Sequence, residues 1–109
     1  MDEIGMNNFK ATIFKALGDP SRLQILESLR SGESCVCSIV SSVGSTQPTV
    51  SRHLKALTDC GILKRRRERN RILYSVTSTK IYDIIDSVDS KLIENFTRHI
   101  IMSIQRGER

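Results

Sequence analysis

A mainly helical domain carrying one β-hairpin, in the order ααααββα, is the fold class that this 109-residue sequence predicts. Three observations carry it. Apolar residues recur at helical spacing through most of the chain. Glycines at 18, 32, 44 and 61 close the successive helical stretches. The period changes to short β-type segments only between residues 62 and 77, after which helical spacing resumes.

The first stretch places Phe9, Ile13, Phe14 and Leu17 on a helix ended by Gly18. Asp19-Pro20 opens the second, with aspartate as N-cap and proline in the first turn, where its missing N–H costs nothing. Its apolar positions are Leu23, Ile25, Leu26 and Leu29, and the spacing puts Leu23, Leu26 and Leu29 on one face. A short helix is expected over Val36 to Val43 with Ile39, Val40 and Val43 inward, stopped by Gly44. Ser45 or Thr46 then caps a fourth helix, which tolerates Pro48 in its opening turn. Val50, Leu54 and Leu57 repeat there at i, i+4, i+7, a narrow stripe for docking on a core, and Gly61 ends the helix. Ile62 to Arg67 and Arg71 to Thr77 flank Glu68-Arg69-Asn70 as a hairpin. From Ser78 onward one long helix is expected, with Ile81, Ile84, Ile85, Val88, Leu92, Phe96, Ile100 and Ile104 on its stripe and Ile93 and Ile101 widening it. That surface exceeds what one small domain covers, so the chain is expected to form a homodimer through about residues 78–105 and its N-terminal helix. Four helices, a hairpin and a terminal helix make the winged helix-turn-helix arrangement, a single domain over 1–109.

Size and composition agree with this expectation. A chain of 109 residues fits one domain able to bury a core without disulfides. No apolar run is long enough for a bilayer helix, and MDEIGMNNFK is acidic before it is apolar, the wrong order for a secretory signal. The expected location is cytoplasmic, with no membrane partner and reduced thiols. The net charge of +5 is concentrated: residues 52–71 hold eight cations against Asp59 and Glu68, leaving nine cations and ten anions elsewhere. A one-sign cluster of this kind fits a polyanion.

Double-stranded DNA is the polyanion that the fourth helix suits. With Val50, Leu54 and Leu57 turned inward, about 100° per residue carries Arg52, Lys55 and Ala56 to the opposite side, flanked by Thr49 and Ser51. Such a short, polar, basic face matches a recognition helix in the major groove. Gln47 can present its amide to adenine, and Arg52 can fork onto guanine or grip phosphate; Thr49 and Ser51 approach base edges, and Lys55 suits a phosphate. On the hairpin, Lys64, Arg65, Arg66 and Arg67 with Arg69 and Arg71 would reach the flanking backbone or the minor groove; alternation must turn some inward, so Arg69 and Arg71, at and past the tip, are the expected contacts. His53 falls about 60° from the centre of the buried stripe and reads as a half-buried histidine hydrogen-bonded within the motif. A sequence-indifferent DNA-coating protein would share the basic surface but show no preference between duplexes. No serine or cysteine nucleophile has an identifiable histidine base and orienting carboxylate, and no glycine-rich phosphate loop occurs, so no enzyme is expected.

LGDPSRLQIL, the CVC segment, QPTVSRHLKAL, and GIL followed by a basic hairpin and a terminal helix together resemble the ArsR/SmtB family of dimeric repressors, over roughly residues 9–104. The resemblance implies a homodimer that binds a near-palindromic operator and leaves it when an inducer binds. In arsenite- and cadmium-responsive members, ELCVC followed by aspartate holds thiolate ligands beside the recognition helix; here ESCVCSIV aligns Cys35 and Cys37 with that pair. Thiolates select soft ions such as As(III), Cd(II) or Zn(II), the expected inducers; no cofactor is required. The departures are specific. The position of a third thiol is Val40, residues 1–34 hold no cysteine, and the terminal-helix zinc pattern is broken, since Asp83, Asp86, Asp89 and Glu94 are joined only by His99 at the wrong spacing. Cys60 reads as a small apolar filler or a remote third ligand. Three roles for Cys35 and Cys37 thus stay open: metal or metalloid sensor, thiol redox switch, or buried small residues with no inducer.

Overall fold

The structure, a computed structural model, describes residues 1–107. It resolves into two compact units, Met1–Ser78 and the segment from Thr79 onward. The first holds α1 (Glu3–Leu17), α2 (Pro20–Ser28), β1 (Ser34–Cys35), α3 (Val36–Val43), α4 (Gln47–Asp59), β2 (Leu63–Glu68) and β3 (Arg71–Val76); the second holds α5 (Lys80–Ser87) and α6 (Ser90–Gln105).

Local chemistry sets each boundary. The Asp19 carboxylate accepts from Ser21 N (2.8 Å) and Arg22 N (3.1 Å) at the start of α2. These bonds, that from Arg22 first, hold the Asp19 carboxyl below the usual carboxylate range. The cap therefore stabilises the fold above that range and is lost as pH falls through the lowered value. Thr46, one of the two expected caps, accepts from Thr49 N at the start of α4 (3.4 Å), with Pro48 in the opening turn. Between α3 and α4 the chain reverses at Gly44, whose φ of 64° and ψ of 31° lie in the left-handed region that glycine enters without strain.

The first unit is a three-helix cluster on a small sheet. Helices α2, α3 and α4 pack on one another, α4 also rests on β2, and α1 meets α2. Ile25, Leu26, Leu29, Ile39, Val50, Leu54, Leu57 and Leu63 are almost fully buried and form its centre. Burial of each such side chain contributes about 1.5–3 kcal/mol relative to exposure. The expected stripe of α4 is confirmed, since all three of its residues are buried. In α2 the inward residue is Ile25 and not Leu23, which is 36% exposed. Only Ile39 of α3 is buried; Val40 and Val43 are half-covered.

The sheet is antiparallel with strand order β1-β3-β2. Strand β1 was not foreseen: it is two residues long, pairing Ser34 with Tyr74 and Cys35 with Leu73. The hairpin pairs Leu63 with Val76 at its base and Glu68 with Arg71 at its tip. At the base the Thr77 hydroxyl donates to Gly61 O (2.7 Å). Helices, turn and hairpin form a winged helix-turn-helix, with β2 and β3 as the wing.

In the second unit the expected single terminal helix is two helices. α5 stops at Ser87, whose hydroxyl donates to Ile84 O (2.6 Å), and Asp89 starts α6 by accepting from Leu92 N (2.9 Å). The Asp89 N-cap, directly after Val88, is what starts a new helix there. No helix among the described residues is long and apolar enough to cross a membrane.

Candidate nucleic-acid interface and thiol pair

The residues of α4 that the sequence assigns to the outside are outside. Gln47, Ser51, Arg52 and Lys55 are exposed, and Thr49 is half-exposed at the N-terminal turn. Arg52 Nη2 leans on Thr49 Oγ1 (3.4 Å), which also accepts from the Thr46 hydroxyl (2.9 Å). Lys55 is tied to Asp59 one turn later (2.8 Å), a pairing the charge count did not reveal. His53 is half-buried and accepts from Arg22 Nε at 3.2 Å, which ties α4 to α2 and agrees with a structural role.

On the wing the arginines are sorted by alternation. Arg65 and Arg67 stand with Leu63 on one face, opposite Tyr74 and Ile72; Lys64 and Arg66 stand on the other. Arg66 is engaged by the chain's own carboxylates. Its guanidinium donates to Glu33 through Nε (3.0 Å) and also bonds Glu68, so two carboxylates neutralise it and push its pKa up. Arg66 in turn holds the Glu33 carboxyl below its ordinary range. Arg69 and Arg71 are exposed and carry no ion pair among the described residues.

Arg69 sits at the tip with φ of 55°, the only left-handed non-glycine residue among those described. An L side chain there costs about 1 kcal/mol. Arg69→Gly should therefore raise the thermal midpoint, by roughly 1 kcal/mol of stability, while lowering affinity for any duplex. Melting curves beside binding isotherms check both signs.

The cysteines occupy a defined corner. Cys35 is buried, Cys37 is exposed, and Cys60 is half-buried at the end of α4 with its thiol donating to Leu57 O (3.4 Å). Cys35 is at once the last residue of β1 and the N-cap of α3. Its Sγ accepts from Ser38 N (3.4 Å) and lies 3.3 Å from Ser38 Oγ. The neighbouring Cys37 thiol, then the hydrogen bonds from Ser38, favour the anion and lower the Cys35 pKa from 9.0 to about 7. Between those two values Cys35 is thiolate in the native chain and thiol in the unfolded one. Its contribution to stability is complete above pH 9.0 and is lost as pH falls through about 7. Thiolate ultraviolet absorbance should titrate near 7 in the native protein and move upward in Cys37→Ala, which removes the largest of these influences. An unchanged midpoint in that variant would contradict the assignment.

Among the described residues no group of three or more His, Cys, Asp or Glu side chains converges to hold a metal. Asp83, Asp86, Asp89, Glu94 and His99 therefore form no such group, and Cys60 joins none with Cys35 and Cys37. One chain offers a soft ion two thiolates, short of the four ligands of a closed zinc site.

Residues 19–65 match the family described as bacterial regulatory protein, arsR family. The uncharacterized HTH-type transcriptional regulator of Methanocaldococcus jannaschii is 44% identical over 80 residues, covering 72% of this chain and 90% of that protein. An arsenical resistance operon repressor of Staphylococcus xylosus is 35% identical over 82 residues, 75% of each chain. Among solved structures, the homodimeric winged helix-turn-helix DNA-binding domain of a possible ArsR-family regulator from Mycobacterium bovis superposes with a TM-score of 0.76 at 28% identity, covering 87% of this chain and 93% of that one. Relatives and fold alike are those of DNA-binding transcriptional regulators and not of enzymes. The buried α4 stripe, the basic wing and these relatives agree: this chain belongs to the arsR family of bacterial regulatory proteins.

Proposed function

We propose that the protein is a homodimeric, cytoplasmic transcriptional repressor that binds a near-palindromic operator. Gln47, Thr49, Ser51 and Arg52 approach base edges, while Lys55, Arg69 and Arg71 hold phosphates. The observation that carries this reading is the two-sided α4: Val50, Leu54 and Leu57 buried, the polar and basic flank open beside an exposed arginine-rich hairpin. An anchored helix with a free basic flank is the geometry that enters a major groove. Dimerisation draws on α6, which buries none of its residues and exposes Ile93, Phe96, Ile100, Ile101 and Ile104, and on α1, which exposes Ile4, Phe9 and Phe14. The first unit then supplies the DNA surface and the second the greater part of the pairing surface, as one functional domain. Selection of bound sequences from a random duplex library tests the reading. A two-half-site consensus bound at least about a thousandfold more tightly than random duplex supports it, and a ratio near one makes the protein a DNA-coating factor.

For the inducer we propose a thiophilic ion, As(III), Cd(II) or Zn(II), taken by Cys35 and Cys37 with its shell completed from outside the chain. Three features support the pair as the sensor. Cys35 is poised as a thiolate, Cys37 is exposed beside it, and a staphylococcal relative is an arsenical resistance repressor. The coupling route is short. Cys35 is hydrogen-bonded through β1 to β3 of the wing and begins α3, which packs on α4. An ion that re-aims Cys35 moves both DNA-facing elements. The low Cys35 pKa also favours a second reading, oxidation of the pair by a peroxide. Titrating the reduced protein with each ion while following thiolate charge-transfer absorption and operator release separates the two, since a redox switch responds to peroxide alone.

A further inference from the structure

Between the outer flank of α4 and the wing lies an open cleft of about 440 Å³, lined by Ser51, Lys55, Thr58, Asp59, Arg65 and Tyr74. Arg65 and Tyr74 are cross-strand partners on the wing face that also carries Leu63. Two cations therefore converge on one concavity, Lys55 from the helix and Arg65 from the sheet. Arg65 is exposed and makes no ion pair among the described residues. The Thr58 hydroxyl is spent on Leu54 O (2.7 Å), which leaves the hydroxyls of Ser51 and Tyr74 as the donors of the lining.

Asp59 is the anomaly. It is the last residue of α4, where a negative charge opposes the helix dipole, and it takes the poorer of the two i, i+4 orders, with lysine preceding the acid. Helix stability gives no reason for a carboxylate at that position. Its carboxylate nevertheless lies 2.8 Å from the Lys55 ammonium, within the cleft, where an anionic ligand would sit. Both side chains are more than half exposed, so water and salt weaken the pair and it yields readily to a stronger anion.

We infer that this cleft seats one DNA backbone phosphate per subunit, gripped by Lys55 and Arg65, and that Asp59 is an internal competitor holding Lys55 until a duplex displaces it. The inference rests on the DNA-binding reading above and adds Arg65 and Asp59 to the interface. A phosphodiester is the ligand that fits. The cleft lies on the flank of the helix assigned to the groove, its donors come from two elements as backbone-spanning contacts require, and an arginine fork matches phosphate oxygens. Competition of this kind trims indiscriminate binding: each subunit exchanges a carboxylate for a phosphate and does not gain a new ion pair outright.

The test is a double-mutant cycle on the full-length dimer, with a random-sequence duplex of about 30 base pairs, long enough for two half-sites one helical turn apart. Asp59→Asn should raise affinity about five- to tenfold and steepen its salt dependence. In a Lys55→Ala background the same change should gain less than about twofold, because no lysine remains to be released. Arg65→Ala should weaken binding about tenfold and flatten the plot of log affinity against log salt by about one phosphate per subunit. Removing the Asp59 charge leaves the end of α4 electrostatically better off, so the variant folds. An Asp59→Asn gain of equal size with and without Lys55 would overturn the competitor role, and a salt slope untouched by Arg65→Ala would overturn the seat. A wild-type protein that binds no duplex removes the DNA reading along with this one, whereas a wild type that binds while the cycle stays flat removes only this one.

Discussion

A chain carrying Phe96→Asp and Ile100→Asp should sediment as a monomer and bind its selected operator at least about a hundredfold more weakly. Phe96 and Ile100 are 60% and 57% exposed, with Ile93 and Ile104 continuing the same stripe along α6. Apolar area of that kind contributes about 25 cal/mol per Å² when a second copy covers it. In a two-fold interface each substitution is presented twice, so four carboxylates would have to be desolvated against apolar neighbours. Affinity then falls for a geometric reason, because one half-site alone cannot profit from the second contact once the subunits separate. Both positions are exposed in the single chain, so circular dichroism should show helix content unchanged. Sedimentation and binding on the same sample check the prediction, and a variant that remains dimeric with full affinity would remove α6 from the interface.

Arg52→Ala should cost about 2 kcal/mol per half-site on the selected operator, and so about a thousandfold for the dimer, against a far smaller loss on random duplex. Arg52 is exposed on the open side of α4 and, among the described residues, bonds through its side chain only at long range to Thr49, so the guanidinium is free to fork onto a base. Replacing it leaves the buried stripe and the wing intact, which confines the effect to readout. The ratio of specific to random affinity is the decisive quantity. A ratio unchanged by the substitution would reassign Arg52 to a phosphate.

Much of this architecture is written at short range. The Asp19-Pro20 start, the Gly44 stop, the Val50, Leu54 and Leu57 stripe and the change of period at Ile62 each depend on neighbours within one or two turns, and each is where the pattern puts it. What escaped depends on partners distant in sequence or on signals shorter than a turn. Strand β1 is two residues that become a strand only because Tyr74 and Leu73 lie alongside. The break between α5 and α6 interrupts an unbroken apolar period with no glycine or proline to mark it; the Asp89 cap was the available signal. Leu23 and Ile25 are chosen between by the packing of α2 on α3 and α4, not by spacing.

The site divides in the same way. Exposure of Ser51, Arg52 and Lys55 follows from helical geometry once the stripe is known, and that of Gln47 from its place at the start of α4. The state of each charge does not, since Arg66 is claimed by Glu33 from 33 residues away and Lys55 by Asp59. Counting cations overstates the number free for DNA. The thiol pair shows the limit from another side. Two cysteines two residues apart were visible at once, but the hydrogen bonds from Ser38 that help lower the Cys35 pKa depend on its place as a helix cap.

Backbone and side-chain NMR of the dimer during titration with its selected operator addresses the whole account at once. A recognition helix in a groove with a clasping hairpin predicts the largest shifts at Gln47, Thr49, Ser51 and Arg52, a second set at Lys55, Arg65, Arg69 and Arg71, and none at the buried Val50, Leu54 and Leu57 beyond small packing changes. Shifts confined to α1 or α6, with the open flank of α4 silent at saturation, would contradict it.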